Sequence, residues 1–234
     1  MLRSVLSAMF LLASSLSGLA AEFVGKVEFT ETGCEQRGAC ILKSDFGYID
    51  STGVGWQAKA GNKTDGASIP PRLQPYIGHP FDADLIRAAI IHDHYCDRHV
   101  KSWADTHWVF YDALLTSQVE WQRALKMYVG VLLGGPKWIW EIAGEQCPIG
   151  ITCTRRARTV ALPEDGASRT NSEGEHFVVR AARYTDPDFA RELARAGEEI
   201  DKLRPGAGRP EAEALAKFIR PRDKFLNGAD AILR

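Results

Sequence analysis

The sequence predicts an α+β fold, in which a small N-terminal antiparallel sheet packs with a mainly helical core and the C-terminal helices are peripheral. Three observations predict it. Short segments of alternating apolar and polar residues, broken by glycine turns, fill the stretch from Phe23 to Ala58. The apolar run Leu85 to Ile91 then opens a series of helical patterns that ends at Gly134-Gly135-Pro136. From Thr154 onward the sequence turns polar and charged, with amphipathic patterns only near its end.

In order, Phe23, Val27 and Phe29 alternate with Lys26 and Glu28, which reads as a strand, and Ile41 to Ile49 and Gly53 to Ala58 read as two more. Thr64-Asp65-Gly66-Ala67-Ser68-Ile69-Pro70-Pro71 is a rigid irregular turn. On turn chemistry alone, Asp65 there bonds its own backbone. Asp82 or Asp84 can cap a buried helix through Leu85, Ile90 and Ile91 that ends near His99 or Val100. Ser102 caps the next, from Trp103 to about Glu120, and a third runs from about Trp121 to Leu133. Trp138-Ile139-Trp140 reads as core material in one more helical turn.

Residues 1–21 have the form of an export signal: Arg3, an apolar segment from Val5 to about Leu16, then small residues up to Ala20 and Ala21. A main α+β domain follows over 22–153, then a linker and charged helical tail over 154–234, partly disordered by its composition. The tail helices are a place for a protein partner. The chain is therefore expected in the periplasm or outside the cell, with no transmembrane helix in the mature chain. In that setting the cysteines can form disulfides. Cys34 and Cys40 share a C-x5-C spacing with Cys147 and Cys153, and local or crossed pairings both fit. Cys96 is left over as a helix thiol. A formal charge of −1 and pI near 6.6 leave no electrostatic footprint for nucleic acid.

The chemistry concentrates in His92-Asp93-His94-Tyr95-Cys96-Asp97-Arg98-His99, straight after the apolar run, with Asp105 and His107 close behind. His92 reads as a general base, which needs a carboxylate to hold its tautomer, and Asp105 on the following helix is the candidate. Asp93 with Asp65 would bind a divalent cation, calcium rather than zinc, because carboxylates suit a hard ion and no zinc-type spacing is present. Tyr95 and Ser68 stand beside these residues, while His94 and His99 are expected to face solvent. The reading is a hydrolase, with or without metal assistance, acting on ester or amide bonds of lipid or cell-envelope material. The alternative is a non-catalytic, disulfide-stapled envelope or binding protein whose His/Asp cluster is a structural polar network.

Thr64-Asp65-Gly66-Ala67-Ser68-Ile69-Pro70, Ala88-Ala89-Ile90-Ile91-His92-Asp93, Ala104-Asp105, Met127-Tyr128 and Gly134-Gly135 resemble an uncharacterised domain of bacterial and phage proteins, number thirteen-fifty-three in the domain-of-unknown-function series. The resemblance spans about Phe46 to Trp140. It implies no activity, but it implies that Asp65, His92, Asp93 and Asp105 share one site, against the turn-former reading of Asp65. The His-Asp pair is also similar to that of secreted phospholipases A2, whose histidine activates water and whose aspartate binds calcium. The sequence departs from that pattern at Cys96, where those enzymes have tyrosine, and lacks their calcium loop.

Overall fold

The structure is a computed structural model that describes residues 20–69, 71, 74–142, 154–155, 166–170, 176–223 and 225–226. Nearly all of the expected export signal, and the Cys147–Cys153 pair, lie outside the described residues. The architecture is the expected α+β mixture of small N-terminal sheets and a helical core. No helix among the described residues is long and apolar enough to cross a membrane.

The strands β1 (Glu22–Val24), β3 (Phe46–Ile49) and β4 (Gly55–Ala58) form an antiparallel sheet in the order β1-β3-β4. Tyr48 lies opposite both Phe23 and Trp56, and Phe46 opposite Ala58. Strand alternation therefore puts Phe46, Tyr48, Trp56 and Ala58 on one buried face. The expected strand over Ile41 to Ile49 is split. Its first part, β2 (Cys40–Ile41), pairs instead with β5 (Lys63–Thr64). Cys34 and Cys40 are joined at disulfide distance, which favours the local pairing there.

A four-residue helix, α1 (Gln74–Ile77), precedes the central helix α2 (Ile86–Arg98). Neither expected aspartate caps α2 with its side chain. The Asp82 carbonyl accepts from the Leu85 and Ile86 N–H groups, while Asp84 is held by Arg123 at 2.6 Å. His99 ends α2 in the left-handed region. Ser102 caps α3 (Trp103–Thr116) as expected, its hydroxyl accepting from the Asp105 N–H. The last helix of the core, α4 (Trp121–Gly134), follows directly.

The sheet packs on one side of α2 and α3 on another, with α4 beyond α3. The phenol of Tyr48 ties the layers together, donating at 2.6 Å to the buried Asp112 on α3. The C-terminal helices α5 (Phe189–Ile200) and α6 (Arg209–Ile219) form the outer layer on α4. Their apolar stripes, Phe189, Leu193, Ala196 and Ile200 with Ala212, Ala216 and Ile219, are buried there.

The segment expected as a helical turn is a strand, β6 (Lys137–Ile142), because β9 (His176–Arg180) supplies an antiparallel partner along five residue pairs. The remaining strands, β7 (Thr154–Arg155) and β8 (Gly166–Thr170), complete a sheet in the order β7-β6-β9-β8. Parts of the expected linker are thus strand. Lys137 at the start of β6 is fully buried, 3.3 Å from Asp223, which Arg180 also approaches at 2.9 Å.

Burial, with Arg180 adding to it, brings the Lys137 ammonium down to about 7. Between pH 7 and 10 the unfolded chain then holds more protons than the native one, so stability rises with pH through that window. The expected slope from this group is on the order of 1 kcal/mol per pH unit. Lys137→Met should flatten it in denaturation curves taken at pH 7, 8 and 9, and an unchanged slope would rule out Lys137 as its source.

Candidate functional site

Two turns and two helices build the site. In the first turn Thr64, itself buried, accepts the Gly66 N–H at 3.0 Å and donates its hydroxyl proton to Asp93 at 2.5 Å. Gly66 has φ +78°, and a Cβ there would lie 2.5 Å from the Pro80 carbonyl oxygen, so only glycine closes this turn. Ser68, also in the left-handed region, donates to Asp65 at 2.8 Å.

The second turn is Gly134-Gly135-Pro136, behind His107. His107 Nε2 lies 3.0 Å from the Pro136 carbonyl, and His107 Nδ1 lies 2.9 Å from His92 Nε2. The carbonyl can only accept, so His107 carries its proton on Nε2. Burial, then the nearby His92 and Lys137, hold His107 well below the usual imidazole range, so it is neutral and its Nδ1 accepts. His92 therefore donates from Nε2. Its other nitrogen, Nδ1, faces Asp93 Oδ1 at 3.8 Å and the Cys96 thiol at 3.9 Å.

Two runs of hydrogen bonds thus face each other, one from the Gly66 N–H through Thr64 to Asp93 and one from His92 through His107 to the Pro136 carbonyl, with 3.8 Å between Asp93 Oδ1 and His92 Nδ1. The Phe110 ring lies over His92 at 4.8 Å, and Trp103 and Trp138 flank His107. Burial lifts the Asp93 carboxyl to about 6, against the opposing pull of His92 and Thr64. Burial and the carboxylates of Asp93, Asp97 and Asp65 push the Cys96 thiol up.

Gly135 makes the His107 contact possible. A Cβ there would come within 2.5 Å of the Val131 carbonyl oxygen and 3.0 Å of two His107 ring atoms. Gly135→Ala should therefore cost about 1–3 kcal/mol in denaturant unfolding, as overpacking does. A change within error would mean that the turn yields freely.

Of the residues expected at the site, His92 and Asp93 face each other, Asp65, held by Ser68, acts on Asp93 only through its charge, and Asp105 stands apart. The Asp105 carboxylate accepts from Ser102 at 2.6 Å and pairs with Arg209 on α6 at 3.2 Å. His107, two residues on, takes the orienting role. Two positions turn a helix by about 200°, so Asp105 and His107 point to opposite sides. Tyr95 belongs to the sheet contact: its hydroxyl accepts the Gln57 N–H at 3.0 Å and its ring meets Trp56 edge-on. His94 and His99 are buried rather than solvent-facing. Asn62 holds His94 at 3.0 Å, and His99 lies against Trp138 and Phe177.

The hard-cation set is not assembled either. Among the described residues Asp65 and Asp93 join no group of three ligand atoms within 4.8 Å of one another, whereas His92, Cys96 and His107 do.

Sequence reasoning placed His107 in the cluster and Thr64 in the turn, but missed that they are the partners of His92 and Asp93. The signal for His107 was present in the helical period. Trp103, His107, Phe110 and Leu114 follow at spacings of four, three and four, which puts His107 on the buried seam of α3.

Beside these residues opens a small apolar cleft, lined mainly by Ala67, Ile69, Ile77, Phe110, Met127, Val131, Tyr184, Phe189 and Leu193. Its walls share Phe110 with His92 and Ser68 with Asp65.

Residues 40–131 match the family described as protein of unknown function, DUF1353. The matched residues include Asp65, His92, Asp93, Cys96 and His107, while the Gly135-Pro136 turn and Tyr184 lie beyond them. The chain is 47% identical over 145 residues to the uncharacterised protein y4iH of Sinorhizobium fredii (strain NBRC 101917 / NGR234), covering 60% of each chain. It is 30% identical over 208 residues to the uncharacterised protein y4jT of the same strain, covering 84% of this chain and 61% of that one. The chain thus spans about three-fifths of the length of these relatives. No solved structure matches it. The likeness to phospholipase A2 stops at the His-Asp pair, since Asp105 does not reach His92.

Proposed function

We propose that the chain is an exported hydrolase, acting in the periplasm or outside the cell on ester or amide bonds of acylated lipid or envelope material. The observation that carries this reading is the fixed direction of the His107–His92 hydrogen bond. It leaves His92 Nδ1 as the ring nitrogen that can accept a proton, with Asp93 facing it. A buried histidine with a set tautomer and a facing carboxylate can take a proton from water and stabilise the resulting imidazolium. The apolar cleft sharing a wall with His92 suits an acyl group.

The test is hydrolysis of chromogenic acyl esters and amides, lipid vesicles and peptidoglycan fragments by the purified protein, beside His92→Gln and Asp93→Asn. Loss of turnover in variants that keep the native melting temperature supports the proposal. If the intact protein hydrolyses nothing, while both variants melt well below it, the cluster is a structural polar network instead.

A further inference from the structure

We infer that His92 Nε2, Cys96 Sγ and His107 Nδ1 form a binding site for a thiophilic first-row metal ion of the zinc class, in which the ion replaces the proton shared by the two histidines. Binding does not depend on the hydrolase reading; only its effect on turnover does.

The donor atoms come from well-set elements. His92 and Cys96 are one helical turn apart on α2, and His107 reaches across from α3. A tetrahedral ion with bonds of about 2.0–2.1 Å to nitrogen and 2.3 Å to sulfur holds N and S about 3.6 Å apart and two nitrogens about 3.4 Å apart. The observed His92 Nε2 to Cys96 Sγ distance is 3.5 Å. The two imidazole nitrogens stand at 2.9 Å, a hydrogen-bond distance, and must open by about half an ångström when the ion displaces the proton.

The outer groups point the same way. A histidine that binds metal through one nitrogen gives its other N–H to a carboxylate or a backbone carbonyl. His107 already does so at Pro136, and His92 Nδ1 faces Asp93. Thiolate and imidazole together select zinc-class ions over calcium or magnesium.

Without metal, His92 bears its proton on Nε2 and Cys96 is a thiol. With metal, the His92 proton sits on Nδ1 and is donated to Asp93, while the thiol proton leaves to solvent. The nitrogen that would take a proton from water is then already protonated. Metal occupancy and general-base action at His92 exclude each other, so the ion inhibits the hydrolysis proposed above.

The experiment is a cobalt(II) titration of the full chain with its free thiols reduced, followed by near-ultraviolet absorption, with zinc as competitor. One ion per chain is expected, with a thiolate-to-cobalt charge-transfer band that zinc abolishes and that Cys96→Ser lacks. Asp93→Asn should weaken binding about 10–100-fold. Nitrogen-15 spectra of the histidine rings, which need no variant, should show His92 Nε2 and His107 Nδ1 shifting together on zinc addition. A band that survives Cys96→Ser comes from other thiols and overturns the inference, as do unmoved ring signals. Hydrolysis measured in the same samples separates the two ideas. Metal bound with no turnover, before or after chelation, leaves the site standing and removes the hydrolase. Turnover that saturating zinc leaves intact overturns the exclusion.

Discussion

His92→Gln is expected to lower kcat/KM on an acyl ester by about 10²–10⁴-fold, the usual worth of a positioned general base. The side-chain amide of glutamine can still donate to His107 Nδ1, so the buried partner is not orphaned. What disappears is the ring nitrogen facing Asp93, which glutamine cannot supply as a base. Asp93→Asn removes the charge that stabilises the imidazolium but keeps an acceptor for the Thr64 hydroxyl, and its loss of kcat should be smaller. A structural network predicts an effect on stability instead of on turnover. Breaking it would leave buried donors unpaired at about 1–3 kcal/mol each, with no turnover to lose. Steady-state kinetics and thermal melts on the same preparations separate the two, since the base role moves kcat at constant stability.

The parts of this architecture that were legible in the sequence are those governed by local period and capping. The apolar run before His92, the Ser102 cap and the glycine stop after Leu133 all fell where short-range rules place them. Spacing left the local and crossed cysteine pairings open, and the structure joins Cys34 to Cys40. What stayed hidden depends on partners distant in the chain. The residues Trp138-Ile139-Trp140 fit a buried helical turn or a strand equally, and the decision lies with Val178 and Val179, some forty positions on. His94 looked exposed because nothing near it in sequence predicts that Asn62 folds over to bond it. The orienting partner of His92 was sought among carboxylates, on the chemistry of catalytic histidines. A second, neutral histidine does the same work here because a backbone carbonyl fixes its tautomer. That arrangement needs the Gly134-Gly135-Pro136 turn to return to α3, which is a tertiary fact.

Trp138→Ala is expected to destabilise the protein by about 3–5 kcal/mol, the cost of emptying a buried aromatic site. Trp138 is 2% exposed, its indole N–H donates to the Lys101 carbonyl at 2.8 Å, and its ring meets His99 and His107 edge-on. Truncation would leave a cavity between β6 and the α2–α3 connection and orphan the Lys101 carbonyl. It would also remove the wall that holds His107 against His92. Trp138→Phe should restore part of the packing but not the hydrogen bond, and so fall between alanine and the native protein. Urea denaturation of the three proteins checks the order. A cost within the roughly 0.5 kcal/mol typical of surface substitutions would mean that β6 does not seal this end of the core. The same measurement bears on the site, because His107 can direct the His92 tautomer only while its own ring is held. Trp138→Ala should therefore lower turnover per folded molecule as well, whereas a purely remote packing defect would change stability alone.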